Sequence, residues 1–320
     1  MVLATAPLDK RHVAALWSEL QCFVVGQSSS SSLLSVDNPI EHVVLSAPVW
    51  SQPVMERLLV EIRNKIPHFQ LSRRRQDGST AAPKVTIEAK YFENDRYDTG
   101  LWCDALQSIE DVGNRNNEDS NEQKGKEGFP YDDVVLLNDS LFALRDYTGV
   151  LDTLQSKPRL RMTSLNYVGS DPKGVWLESV FRAFDRQGLE VFRNHSCVPA
   201  EDPMFCPGIT DARDLKRCIT EHHEIEIARL FMPTQVEGVF PSDVPKELWK
   251  ESRPYATWVL HVDYWRETLV GQRNFPAAKV TKRNMIKSLN NPLLDHCTRT
   301  LDRSFLDSLD YNLGKRTIQK

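Results

Sequence analysis

No apolar run in the sequence approaches the roughly 18 residues that span a bilayer; Val43-Val44-Leu45 and Val134-Val135-Leu136-Leu137 are strand-length. That excludes a transmembrane helix within the sequence. The first twenty residues carry Asp9, Lys10, Arg11 and Glu19, so they lack the uninterrupted apolar core of a secretory signal. Glycine and proline are also scarce, 14 and 18 in 320 residues, which excludes collagen-like and wholly disordered chains. Charge of one sign is missing as well: 40 Lys and Arg against 44 Asp and Glu leave a net charge of -4, against a binder that neutralises nucleic-acid phosphates. Six cysteines, at 22, 103, 197, 206, 218 and 297, are too sparse for a disulfide scaffold, although pairing among the last four fits an oxidising compartment. Asn194-His195-Ser196 fits the N-glycosylation sequon, a tripeptide that also arises often by chance. What is present, 40% hydrophobic and 26% charged residues, is the make-up of a soluble globular protein, and 320 residues allow one large α/β domain with a sizeable core or two small ones.

The organisation reads in three parts. Residues 1–37 form a short helix near Arg11 to Cys22 followed by a serine-rich joint, Gln27 to Ser32. The main domain is expected over 38–240, beginning with a buried strand at Val43-Val44-Leu45. A helix follows, with Val54, Leu58, Leu59 and Ile62 at helical spacing and Ser51 as its N-cap. Alternation of Val85, Ile87 and Ala89 predicts a half-buried strand, and the polar stretch 111–128 a surface insertion. Asp133-Val134-Val135-Leu136-Leu137 predicts a buried strand ending in Asn138-Asp139-Ser140. Between Gly174 and Phe184 helical and strand periods compete, and strand is preferred. Glu221 to Met232 is expected to be a helix ended by Pro233. Residues 241–320 form a loop-rich, partly helical extension containing Trp249, Trp258 and Trp265. Strands alternating with helices predict a mainly parallel sheet flanked by helices, with ligands at the carboxyl ends of the strands.

Two constellations carry candidate chemistry. Asn138-Asp139-Ser140 reads either as oxygen ligands for Mg²⁺ or Mn²⁺ with a diphosphate, or as an Asx-type turn capping backbone amides. Asp98-Thr99-Gly100 reads either as a helix start facing an anion or ribose, with Gly100 allowing close approach, or as an ordinary capped helix with Trp102, Ala105 and Leu106 in the core. No G-x-G-x-x-G follows a strand, and neither a P-loop nor a nucleophile elbow is present. His222 and His223 are adjacent and so point to different sides of a helix. Cys197 and Cys206 lack zinc-site spacing and read as a disulfide. His261 and Asp263, beside Trp258 and Trp265, form either a sugar-stacking patch or core.

Taken in order, the two constellations resemble glycosyltransferases of the rhamnan synthesis protein F type. Asn94, Tyr97-Asp98-Thr99-Gly100 and Leu137-Asn138-Asp139-Ser140 carry the likeness, together with Trp176-Leu177-Glu178-Ser179-Val180-Phe181 and Glu224-Ile225-Glu226-Ile227-Ala228-Arg229. The pattern departs at Thr99, where phenylalanine is usual, and at Ala143-Leu144, where Gly-Pro is common.

The resemblance implies a GT-A-like α/β domain that transfers a hexosyl or deoxyhexosyl group from a nucleotide-diphosphate sugar to a glycan or glycoconjugate. Asn94, Asp98, Gly100, Asn138, Asp139 and Ser140 would bind the donor, Asp139 would hold a divalent cation, and Glu224, or second Glu178, would be the general base. Partners implied are the nucleotide sugar and a glycan, with no nucleic acid. Location would be the Golgi or another secretory-pathway lumen, or the cytoplasm outside eukaryotes, with membrane association only through a longer N-terminus. A non-catalytic relative that binds a glycan or a partner is the alternative.

Overall fold

The structure is a computed structural model describing residues 1–25, 40–66, 69, 85–94, 96–118, 129–145, 150–168, 176–177, 180–198, 206, 208–209, 211–240, 270–272, 275–280 and 295–311. Its frame alternates strand and helix: β1 (Val2–Ala4), α1 (Lys10–Glu19), β2 (His42–Pro48), α2 (Gln52–Lys65), β3 (Thr86–Phe92), α3 (Tyr97–Glu118) and β4 (Asp133–Asn138). Strands β3, β2, β1 and β4 lie side by side in that order, all parallel. The chain steps outward from β1 to β3 and then returns past β1 to lay down β4. Right-handed crossovers therefore put α1 and α2 on one face and α3 on the other.

Beyond β4 the sheet becomes mixed. The short β5 (Leu141–Ala143) leaves it, α4 (Val150–Ser156) crosses, and β6 (Met162–Val168), β7 (Trp176–Leu177) and β8 (Phe181–Asp185) follow. β8 runs antiparallel between β4 and β6. β7 pairs antiparallel with the end of β6, and β9 (Val236–Phe240) pairs parallel with it. Helices α5 (Arg186–Ser196) and α6 (Ala212–Ile219) lie between β8 and β9, and β10 (Ala277–Lys279) pairs with β5. This is the mainly parallel α/β sheet with flanking helices that the sequence predicts.

Several local expectations change. β1 sits in the middle of the sheet, registered to β2 and β4, so the fold does not begin at Asn38. Three residues are too short a strand to announce themselves by period. α1 and the π-helical turn that continues it, Leu20–Val24, are no appendage either: Leu16, Trp17, Leu20 and Phe23 are fully buried. The sheet covers one side, where Phe23 meets Phe181 edge-on at 4.8 Å. The chain's last described segment covers the other, through Cys22–Cys297 and the relay Trp17 Nε1 to Thr300 Oγ1 to Gln21 Oε1. The serine-rich run lies outside the described residues. Ser51 precedes α2 but has helical φ and ψ and caps nothing; its hydroxyl donates to the Pro48 carbonyl. α3 continues to Glu118, into the stretch expected to be an insertion. The ambiguous 174–184 stretch contains strands β7 and β8, with 178–179 outside the described residues. The helix expected from Glu221 is a continuation of α6 through a π-helical turn, Thr220–Ile225, and a 3-10 turn, Glu226–Leu230, ending before Pro233.

All six cysteines are paired: Cys22–Cys297, Cys103–Cys197 and Cys206–Cys218. The expected Cys197–Cys206 bond is replaced because Cys197, just past the end of α5, packs on the second turn of α3. No helix among the described residues is long and apolar enough to cross a membrane.

Candidate functional site at the sheet's switch point

Strand order reverses between β1 and β4, and in parallel α/β sheets the crevice at the carboxyl ends of such strands is where ligands bind. Both sequence constellations arrive there. Ser46, Ala4 and Asn138 form one row across β2, β1 and β4, and Ser46 Oγ donates to the Leu101 carbonyl of α3. That row therefore faces α3. Asn138 Nδ2 donates to Asp98 Oδ2 at 2.7 Å, joining segments forty positions apart. Trp102, fully buried, donates its indole N–H to the Leu137 carbonyl and fixes α3 on β4.

Asn138 also does what the turn reading requires, since its Oδ1 accepts the Ser140 amide at 3.1 Å. Ser140 in turn accepts the Val280 amide through its carbonyl. Asp139, the next residue along a strand of period two, goes to the opposite face. Its Oδ2 accepts the Thr5 hydroxyl at 3.0 Å and the Ala6 amide at 2.9 Å. Burial pushes its carboxyl up from the ordinary value, against the opposing pull of His12, Thr5 and Ala6. Next to it stands the start of α1, where Asp9 caps the Arg11 and His12 amides and contacts His12 Nδ1 at 3.0 Å. Burial opposes ionisation of Asp9, but its bonds to Arg11 and His12 hold it below the usual carboxylate range.

The two neighbours thus serve different elements. Only Asp139 supplies a carboxylate, already engaged and biased toward its neutral form. The sole cluster of three His, Cys, Asp or Glu donors among the described residues is Cys22, His296 and Cys297, whose sulfurs are bonded to each other. This donor set does not fit a protein-built cage for Mg²⁺ or Mn²⁺, which take six or more oxygens. The expectation that Asp139 holds a cation is not supported by its surroundings.

Gly100 also has another role than expected. A Cβ there would lie 2.7 Å from Arg96 Cβ, so what approaches it closely is the protein itself. Arg96 spans this corner, donating to the Val198 carbonyl at 2.7 Å and to Asp104 at 2.9 Å. Tyr97, first in α3, has a φ of 53°, a left-handed conformation that costs a non-glycine residue about 1–2 kcal/mol. It is held by packing beside Cys206–Cys218 and by the Lys216 ammonium over its ring. Thr99, the departure from the resembling pattern, is fully buried and its hydroxyl has no hydrogen-bond partner. Leu144 donates its amide to Pro276, a bond the pattern's proline cannot make.

Asn94 is exposed beyond β3. Glu224 lies in the π-helical turn, its side chain outside the described residues, and Glu178, His261, Asp263, Trp249, Trp258 and Trp265 lie outside them too. Next to Glu224, the adjacent histidines do diverge. His222 is exposed and contacts Glu226, whereas His223 is buried against the His195 ring, 5.6 Å between centroids. Burial, then His195, His222 and Arg96, lower the His223 pKa to about 4.

Sequence reasoning missed Thr5, Asp9, His12 and the fully buried Glu19, all in the N-terminal helix and its approach, which were placed ahead of the main domain. Asp9 followed by apolar residues at helical spacing was the available signal. It also missed Arg182, 1% exposed in β8 on the α3-facing side, whose sign was one charge inside Phe181-Arg182-Ala183-Phe184. A cavity of about 250 Å³, lined by His42, Tyr131, Asp133 and Gln155 among others, opens at the amino ends of the strands, opposite the motifs. Position in the topology favours the opposite end, since open parallel sheets bind ligands at the carboxyl ends of strands where their order reverses.

Fold and site define an α/β protein with a polar site at its switch point. No protein-family model and no curated protein matches the chain. Among solved structures, mouse xyloside xylosyltransferase 1 in its apo form is similar, with a TM-score of 0.35 and 9% identity, covering 78% of this chain and 85% of that one. A likeness of that size carries nothing about activity.

Proposed function

We propose that the chain is a glycosyltransferase of GT-A-like architecture, moving a sugar from a nucleotide-diphosphate donor to a glycan or glycoconjugate. The observation that carries this reading is the Asp98–Asn138 hydrogen bond at the switch point. It joins the two segments on which the resemblance to rhamnan synthesis F-type enzymes rests. In this reading Asp98, half-buried and held by Asn138, accepts hydrogen bonds from donor hydroxyls. The amino end of α3 faces the same crevice, and the positive end of its helix dipole favours a phosphate. Glu224, with Glu178 as second choice, takes the acceptor's proton. A cation, if used, is held mainly by the donor diphosphate.

The engaged Asp139 favours one competing reading, a glycan-binding relative without turnover. One panel separates the two: thermal shifts and sugar-nucleotide hydrolysis with UDP-, GDP- and dTDP-sugars, with and without Mn²⁺, on the wild type and Asp98→Asn. A ligand at a hundred times its dissociation constant adds about 2.7 kcal/mol to stability, well within detection. The transferase reading expects one nucleotide sugar to stabilise the wild type and not the variant. No response to any nucleotide sugar, with a response to glycans alone, overturns it.

A further inference from the structure

The sequence holds two tripeptides of the N-glycosylation type, Asn138-Asp139-Ser140 and Asn194-His195-Ser196. Pattern alone does not choose between them; the fold does. Asn138 is 5% exposed at the end of a central strand, and its Nδ2, the atom that would carry a glycan, donates to Asp98. A sugar there would replace that hydrogen and require space inside the sheet. Asn194 stands on the last turn of α5, where Phe192 and Ser196 point inward and are fully buried. Asn194 is exposed, on the same outward side as Glu190 and Gln187, and its side chain has no partner among the described residues.

Compartment is the second, independent observation. All six cysteines are paired, across separations of 275, 94 and 12 residues, and none is free. Complete pairing of this kind persists in secreted and lumenal proteins and is rare in the cytosol. We propose that Asn194 is an N-glycosylation site, modified in an oxidising secretory lumen. Asn194 Nδ2 forms a bond to the anomeric carbon of an oligosaccharide carried on a lipid diphosphate. The bond from that carbon to the diphosphate oxygen breaks with its electron pair, and the amide proton leaves to a base. No electrons are exchanged with an outside partner.

The fold also sets the order of events. Recognition of the tripeptide needs the Ser196 hydroxyl, which is fully buried and without a partner in the folded chain. Transfer therefore precedes the docking of α5 and the closing of Cys103–Cys197, and the fold chooses between the two tripeptides because a chain carrying a sugar on Asn138 could not form the Asn138–Asp98 bond and close the sheet, whereas one carrying it on Asn194 can. The same burial supplies a clean variant, because Ser196→Ala removes a buried, unsatisfied hydroxyl and leaves the helix intact.

The test expresses the full chain from its own gene with a C-terminal affinity tag. Enzymatic removal of N-glycans in heavy-oxygen water is followed by peptide mass spectrometry. Expected are a single mass decrease, labelled aspartate at position 194, an unmodified Asn138, and loss of the decrease in Ser196→Ala with all three disulfides retained. Unmodified Asn194 in the folded, disulfide-bonded protein, a sugar on Asn138, or free thiols at the six cysteines would each overturn the proposal.

Discussion

Replacing Glu19 by glutamine should stabilise the protein increasingly as pH rises. Glu19 lies in α1 with 0% exposure, and neither carboxylate oxygen has a hydrogen-bond partner. Burial, and secondarily the charge of Asp139, push its pKa well above the ordinary 4.5. Such a group binds its proton more tightly when folded. Below pH 4.5 it is protonated in both states and adds no pH dependence. Above that, the unfolded chain ionises first, and stability falls by about 1.4 kcal/mol per pH unit until pH reaches the folded-state value. Glutamine keeps the shape and a comparable buried polar group, so at pH 5 the two proteins should differ by no more than about 1 kcal/mol. Above pH 5 the gap should widen at roughly the linkage slope until the pH reaches the folded-state value of Glu19, which burial and then the charge of Asp139 raise. Guanidinium unfolding of oxidised protein at several pH values reads this directly, with equal m-values as the check on comparable unfolded states. A gap that stays flat across the range would show that Glu19 is solvated or paired, and the reasoning fails.

Three other substitutions test the packing. Gly188→Ala places a Cβ 2.0 Å from the Arg161 carbonyl oxygen, so it should cost about 1–3 kcal/mol in denaturant unfolding; an unchanged midpoint would contradict the close contact. Thr99→Val removes a buried, unpartnered hydroxyl with little change of shape and should gain about 1 kcal/mol, whereas a loss would mean the hydroxyl is satisfied. Changing Cys22 and Cys297 together to serine opens a 275-residue link between the π-helical turn after α1 and the chain's last described segment. This should cost about 2–5 kcal/mol, seen as a lower melting temperature that no longer responds to reductant at this bond.

Legibility in the sequence followed the strength of local periodicity. β4 and α2 were readable because a continuous apolar run and a helical stripe are each set by neighbours a few residues apart. β1 was not, since three apolar residues acquire meaning only from the strands beside them. Placing the strand's surroundings, a short helix and a serine-rich joint, ahead of the main domain hid Thr5, Asp9, His12 and Glu19 together. Asp98 and Asn138 were singled out separately, and their 2.7 Å contact follows from α3 crossing back over β1. Gly100 looked like room for a ligand, and only the Arg96 side chain showed what fills that room.

By itself the sequence determined the class of fold, the strand that ends at Asn138, and the absence of an apolar span, because composition and short-range pattern are local quantities. Tertiary structure decided which cysteines meet, which of two glycosylation tripeptides is open, and that adjacent Asn138 and Asp139 serve opposite faces of the sheet. Those depend on distance between residues far apart in the chain and on burial. Both are set by how helices pack on a sheet rather than by any window of sequence.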